Sequence, residues 1–251
     1  MTVVLKLGGS VITEKDRAET LDGAALDRVC DAVADALAAG DVSDLLLVHG
    51  GGSFGHHHAS EQGVSTASGT HDAVGAVAIH SAMKTLNQFV VSRLHARDVP
   101  ALPVHPMSAA ARDAAGDLTL PLDAPATMLA EGFVPVLHGD GVATAGEGIT
   151  VLSGDEIVTR AATGLDADRV EVRSTVPGVL DEEDEVIPEV GTFDDVADVL
   201  GGSEATDVSG GMAGKVRELL DLDAESYVFD ESGLAAFLRG GSPGTRIRRD
   251  G

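Results

Sequence analysis

"LLLVHGGGSFGHHHA", residues 45–59, runs from an apolar stretch into three consecutive glycines and then three consecutive histidines. The segment from Asp44 to Val48 reads as a buried strand, because a short unbroken hydrophobic run bounded by turn residues suits a strand covered on both faces. The glycine and histidine run after this strand has three readings: a phosphate cradle, a metal site, or a flexible loop without chemistry. The surrounding chain decides among them.

Two other glycine-rich segments stand in comparable positions. Val3 to Leu7 is a second buried strand, and it enters Gly8-Gly9-Ser10. "SGGMAGK", residues 209–215, opens a helix whose N-terminus can hold an anion. Glycines after a strand let backbone N–H groups approach phosphate oxygens closely, and a lysine such as Lys6 adds a fixed positive charge. Among the remaining segments, Asp22 to Ala39 repeats Leu26, Val29, Cys30, Val33 and Leu37 at helical spacing and closes on Gly40. Val74 to His95 is a long amphipathic helix carrying Val74, Val77, Ile79, Met83, Leu86, Phe89, Val90 and Leu94, its apolar side also able to wall an apolar ligand. Strands are expected at 101–105, 134–137, 169–172, 227–229 and 245–248, and helices at 127–130, 155–163, 193–200, 211–220 and 234–238. Strands alternating with helices predict an α/β fold, an open and mainly parallel sheet sandwiched between helices, with ligands beyond the carboxyl ends of its strands. No linker divides the 251 residues, so one domain is expected.

Charge narrows the partners. Asp and Glu number 41 against 17 Lys and Arg, a formal net charge of −24, spread along the chain rather than gathered in a tail. Such a surface repels nucleic acid and anionic membranes. Many Ala, Gly and Asp with few Lys suit a salt-loving archaeon, where a Debye length of about 3 Å at 1 M salt screens the self-repulsion. Unfolding in dilute buffer and recovery in molar KCl, measured by circular dichroism, is the expected result; a melting temperature independent of KCl would contradict it. The single Cys30 precludes an internal disulfide and falls on an apolar helix stripe, no charged leader precedes an apolar run, and no stretch approaches the roughly 20 apolar residues that span a bilayer. A cytoplasmic location is expected. The only lysines are Lys6, Lys15, Lys84 and Lys215, three of them in or beside glycine-rich segments, where a compact ammonium is useful.

Two familiar phosphate motifs are absent. Ser209 and Val216 break the P-loop pattern around Gly214-Lys215, and "GDGVAT", residues 139–144, lacks the third glycine of a dinucleotide turn. Taken in order, "VVLKLGGSVITEK" (3–15), "LLLVHGGGSFGH" (45–56), "SGDEI" (153–157) and "SGGMAGKV" (209–216) resemble the amino acid kinase superfamily over nearly the whole chain. Within it, the histidine after the second glycine turn and "HGD" (138–140) with "SGDEI" are similar to the isopentenyl phosphate kinases; fosfomycin kinases share the histidine. The resemblance implies an eight-stranded sheet, a homodimer, and two lobes, about 1–140 for the phosphate acceptor and about 141–251 for ATP. It implies that Lys6, Gly8, Gly9, Ser10, Gly52, Gly211 and Lys215 meet ATP, which carries Mg²⁺ on its phosphates. It further implies that Gly51, His56, Gly154 and Asp155 meet isopentenyl phosphate, and that Lys15 stabilises the transition state. The rivals are another small-molecule kinase, acting on a phosphonate or carboxylate, and a nucleotide-binding regulator without catalysis.

One departure stands in "STVPG", residues 174–178, where the family has "TDVDG"; Thr175 and Pro177 replace two aspartates, leaving Thr175 as the expected nucleotide contact there. The chemistry suits the residues independently. Phosphoryl transfer is mostly positioning and charge neutralisation, and a phosphate acceptor needs no strong base. Lys6, Lys15, Lys215, a histidine and backbone donors would bring two anions together in an otherwise negative chain. A metal held by His56, His57 and His58 is disfavoured, since adjacent loop side chains rarely converge and no carboxylate or cysteine is expected nearby. His49 reads as packed at a strand end, His71, His80, His95 and His105 as structural or exposed, and the acidic run 181–185 as a solvated loop.

Overall fold

The computed structural model describes residues 1–174, 176–200 and 211–249. The chain runs β1 (Thr2–Leu7), α1 (Gly9–Ile12), α2 (Gly23–Ala39), β2 (Asp44–His49), α3 (Gly52–Glu61), α4 (Ala73–His95), β3 (Ala101–Pro103), β4 (Ala111–Arg112), β5 (Leu118–Thr119), α5 (Asp123–Ala130) and β6 (Val134–His138). It continues through β7 (Asp140–Thr144), β8 (Gly148–Leu152), α6 (Gly154–Gly164), β9 (Arg169–Arg173), β10 (Glu189–Val190), α7 (Ala197–Leu200), α8 (Gly211–Leu220), β11 (Glu225–Phe229), α9 (Leu234–Leu238) and β12 (Thr245–Ile247). One eight-stranded sheet has the order β10-β12-β11-β9-β1-β2-β6-β3, with β11–β12 its antiparallel pair. The α/β architecture expected from the alternation is the one observed.

Alternation along the central strands sets the layers. Val3, Leu5 and Leu7 face a core shared with α2 and α4, while Val4 faces the core shared with α6. Leu45 and Leu47 repeat the first pattern and Leu46 and Val48 the second, all essentially inaccessible. Each such side chain contributes about 1.5–3 kcal/mol, so a one-residue slip of β2 would exchange both layers and is strongly disfavoured. Helix α2 starts where the Asp22 carboxylate accepts from Ala25 N–H and stops where Gly40 turns left-handed at φ 76°. Cys30 lies inside it, fully buried, and burial pushes its thiol up to about 11, as suits a small core residue rather than a nucleophile.

Arg169 shows how a charge survives in this interior. Its guanidinium lies 4.6 Å from the Tyr227 ring centroid and 4.4 Å from that of Phe237, and it donates to Phe237 O at 2.7 Å and to Gly241 O. Two ring faces and two carbonyls replace its water.

Several sequence expectations change. Val74, Val77 and Phe89 are exposed, not core; the buried stripe of α4 instead runs through Ala76, Ile79, Met83, Leu86, Val90 and Leu94. The strand expected at 101–105 stops at Pro103, and the helix expected from Phe193 begins as a 3₁₀ turn and becomes α-helical at Ala197. A second, four-stranded sheet, β5-β4-β7-β8, is absent from the sequence expectations. It joins the hairpin Asp140–Leu152 to strands before residue 120, so the lobe boundary expected near 140 falls at the first residue of a strand paired to the N-terminal half. Among the described residues, no helix is long and apolar enough to cross a membrane.

Candidate active site

The carboxyl ends of β1, β2 and β6 lie side by side, and each releases the chain into glycine. Gly50 N–H donates to Leu7 O and Gly139 N–H to His49 O, both at 2.9 Å, so the three turns are tied in a row. Gly9 and Gly52 interlock: a Cβ on Gly9 would strike the Gly52 nitrogen, and Gly52 itself has φ 48°, where a side chain is disfavoured. Thr13 clasps the pair, its hydroxyl donating to Gly9 O at 2.7 Å and accepting from Ser53 N–H at 3.0 Å.

Helix α6 delivers its N-terminus to the same place. Ser153 and Glu156 form a capping box that occupies the N–H groups of those two residues, at 3.1 Å each. The N–H groups of Gly51, Gly154 and Asp155 have no acceptor among the described residues, as befits first-turn donors. A Cβ on Gly154 would stand 3.5 Å from Lys6 Cε and 3.6 Å from Gly50 Cα, which fixes how closely the turns and the lysine meet.

Lys6 is 7% exposed, and its Nζ meets Asp155 Oδ1 at 2.5 Å. Its own N–H donates to the buried Glu171 at 3.1 Å. Asp155, Lys215 and Glu218 line one small cavity between α6, α8 and β9. Desolvation, then the nearby Asp155 charge, raises the Glu218 carboxyl above its ordinary value. Lys6 and Lys215 thus stand among the carboxylates of Asp155, Glu171 and Glu218, and Asp155 holds the Lys6 ammonium in place. Such a set of fixed ammonium groups and outward backbone N–H groups can bind and neutralise phosphate oxygens.

The three histidines are on a helix, not in a loop: α3 begins at Gly52. His57 and His58 stay together, their ring centroids 5.2 Å apart and His58 Nδ1 also 3.5 Å from Glu61, whereas His56 takes part in neither contact. His57 Nε2 lies 3.5 Å from Glu61, and His58 Nε2 lies 2.7 Å from Glu19 Oε1. Carboxylates thus do stand beside the histidines, contrary to expectation: Glu61, three residues after His58 and one turn along α3, and Glu19, across the loop before α2. His56 is exposed and pairs with no carboxylate among the described residues. No group of three or more His, Cys, Asp or Glu among the described residues has the arrangement to hold a metal ion.

A model of the amino acid kinase family matches residues 1–226. The chain belongs to the amino acid kinase family. The isopentenyl phosphate kinase of Haloferax volcanii is 60% identical over 246 residues, 98% of either chain. That of Methanothermobacter thermautotrophicus is 35% identical, over 91% of this chain and 89% of its own. An X-ray structure of an isopentenyl phosphate kinase superposes with a TM-score of 0.81 at 28% identity, covering 98% of this chain and 100% of the other. Carbamate kinase of Giardia, at 13% identity and a TM-score of 0.68, shares the fold.

In this amino acid kinase, Lys6, Gly8, Gly9, Gly51, Gly52, Gly154 and Asp155 gather at one sheet end. Ser10 lies exposed on α1, and Lys15 is exposed in the loop between Thr13 and Leu21, which Ser53 ties to α3 through Thr20. Gly211 and Lys215 open α8. Thr175, Ser209 and Gly210 lie outside the described residues. Asp155, expected against the acceptor phosphate, meets Lys6 with its carboxylate, and its N–H has no acceptor among the described residues. Thr13 escapes sequence reasoning, and its signal is modest: a hydroxyl four residues after a glycine, able to reach back to its carbonyl. The buried residues His49, Asn87, His138 and Asp140 also carry no expected site role, though "HG" ending two strands is visible in the sequence.

Proposed function

We propose that this kinase transfers the γ-phosphoryl group of ATP to the phosphate of isopentenyl phosphate, giving isopentenyl diphosphate and ADP. One observation carries the reading: Lys6, fixed by Asp155, stands among outward N–H groups of Gly51, Gly154 and Asp155 where three glycine turns meet. The isopentenyl phosphate kinases among its relatives, one of them 60% identical, support the same acceptor.

An acceptor phosphate oxygen attacks the γ-phosphorus, and the bond from that phosphorus to the β–γ bridging oxygen breaks. The oxygen is already anionic, so no side chain has to remove a proton. Gly51 and Gly154 N–H groups and His56 hold the acceptor phosphate. Lys6, Lys215, Gly8, Gly9, Ser10, Gly52 and Gly211 hold the nucleotide phosphates, and Thr175 the nucleotide. Lys15, on its exposed loop, neutralises the charge that builds on the transferring group. Asp155 is tied to Lys6, and among the described residues no acidic or histidine group is poised to cage a cation, which suits Mg²⁺ carried on ATP oxygens and neutralising charge there when bound.

A homodimer fits one feature of α4. From Ala73 to Arg97 the sequence has no Asp or Glu, although the chain carries −24, and Val74, Val77 and Phe89 are exposed there. An acid-free apolar face lets two like-charged copies meet. A cytoplasmic enzyme of an archaeal mevalonate route, working in concentrated salt, is the setting this reading implies.

ADP release in molar KCl with ATP and Mg²⁺, across isopentenyl phosphate, fosfomycin, carbamate and amino acid acceptors, tests the assignment. Isopentenyl phosphate is expected to give the highest kcat/KM by at least about tenfold, since one well-matched contact is worth that much. Preference for fosfomycin or a carboxylate would overturn it.

A further inference from the structure

Strands β2 and β6 each end in a histidine followed by a glycine, His49-Gly50 and His138-Gly139, and their register sets His49 beside His138. Both imidazoles are fully buried, with ring centroids 5.5 Å apart. Each turns Nδ1 to the carbonyl of the next residue: His49 to Gly50 O at 3.1 Å, His138 to Gly139 O at 2.9 Å. A carbonyl only accepts, so in both rings Nδ1 carries the hydrogen. Burial keeps the rings neutral, lowering His49 to about 4 and His138 to about 3, which leaves each Nε2 a lone pair. Both lone pairs are used. Asn87 Nδ2–H, from α4, donates to His49 Nε2 at 3.2 Å, and His105 Nδ1–H donates to His138 Nε2 at 2.8 Å. Asn87 also donates to Val136 O at 3.2 Å, so its own orientation is fixed.

We infer that His49 and His138 are positioning residues for the acceptor phosphate: paired latches whose Nδ1–H groups fix the two glycine peptides and so aim the Gly51 N–H into the site. A planar trans peptide sets its C=O and N–H in opposite directions, and the chain has no cis peptide among its described residues. With the Gly50 carbonyl held toward His49 on the α4 side of the sheet, the Gly51 N–H of the same peptide points to the other side. That side holds Lys6 and the start of α6. Gly50 has no Cβ to bias its backbone, so a peptide flip there costs little unless the carbonyl is held. The His138 latch fixes the neighbouring turn, whose Gly139 N–H donates to His49 O at 2.9 Å and braces the first. The inference rests on the proposed function only for the identity of the anion; the latch is a property of the protein alone.

Two substitutions separate a latch from mere filling of the space. Asparagine can set its amide nitrogen, a donor, near the position of Nδ1, and glutamine can set its amide oxygen, an acceptor, near that of Nε2. His49→Gln therefore keeps the Asn87 side and loses the latch, whereas His49→Asn restores the bond to Gly50. With folding verified by thermal melts, His49→Gln is expected to raise KM for isopentenyl phosphate about ten- to hundredfold, the effect of one hydrogen bond to a charged group, with kcat and the KM for ATP little changed. His49→Asn is expected to recover most of that loss. Equal behaviour of the two variants, or a fall in kcat at constant KM, would overturn the latch. A second measurement needs no substrate and no variant: ¹⁵N spectra of the wild-type imidazoles should show two neutral, non-titrating rings protonated at Nδ1 from about pH 5.5 to 8. Protonation at Nε2 in those rings would overturn the inference even if isopentenyl phosphate is the substrate. The Nδ1 form in an enzyme that ignores isopentenyl phosphate would uphold the latch and sink only the acceptor assignment.

Discussion

Lys6→Ala is expected to lower kcat by two to three orders of magnitude. The Lys6 ammonium is buried, held at 2.5 Å by Asp155, and stands among the glycine turns before any substrate arrives. Removing one preorganised charge or donor of this kind costs about 3–4 kcal/mol in the transition state. The loss here has a second part. Asp155 would be left facing the phosphates without its partner, so the KM for ATP should rise as kcat falls. Lys215→Ala and Lys15→Ala are expected to act in the same direction, since both charges serve the same transfer. Lys84, exposed on α4 and outside the glycine-rich segments, is the control, and Lys84→Ala should remain within twofold. Steady-state kinetics on the four variants decides the matter. Equal losses in all four would show that the scarcity of lysine says nothing about where the chemistry is.

His56→Ala is expected to lose at least two orders of magnitude in kcat/KM for isopentenyl phosphate, with ATP hydrolysis in the absence of acceptor unaffected. Within the triplet His57 and His58 pack together, ring centroids 5.2 Å apart, and His56 stands apart from them. His57 and His58 are engaged by Glu61 and Glu19, at 3.5 and 2.7 Å, and only His56 is without a carboxylate among the described residues. A charge-assisted bond to a phosphate oxygen is worth about twice a neutral one. His56→Gln should therefore retain part of the activity through an amide N–H, while His57→Ala and His58→Ala stay within a few-fold of wild type. A dead His58→Ala enzyme, or zinc that co-purifies and vanishes with any one of the three, would defeat the cradle reading.

The elements that were legible in the sequence are those whose local chemistry and tertiary position agree. Helix α2 announces itself through Asp22, the Leu26–Val33 stripe and Gly40, and each of these does in the structure what its type implies. Helix α3 does not. "GSFGHHHASE" has two glycines, little helix propensity and no apolar stripe, and it is helical because Thr13 and Ser53 pin its start and because Phe54 and Ala59 are buried. The two-residue strands β4 and β5 are too short to carry a period, and they exist through their pairing with the hairpin Asp140–Leu152. On α4, the periodicity was clear but its phase was not, because apolar residues occupy the outward face as well.

The site was legible in its glycines and lysines, since those types have few other uses where they stand. It was less so in its carboxylate, because a sequence does not say whether Asp155 faces a phosphate or a lysine. The buried histidines were illegible one by one: His80, which meets Asp140 at 2.9 Å, His105 and His138 gain meaning only when β6, α4 and the turn after β3 are brought together.

The central claim is that this site joins a second phosphate to isopentenyl phosphate. Phosphorus NMR of one equivalent of isopentenyl phosphate with ATP, Mg²⁺ and the enzyme in molar KCl tests it most directly. The phosphomonoester resonance should be replaced by the two coupled doublets of a diphosphate monoester, in step with the appearance of ADP. An unchanged monoester resonance, with ADP forming only alongside free phosphate, would contradict the account.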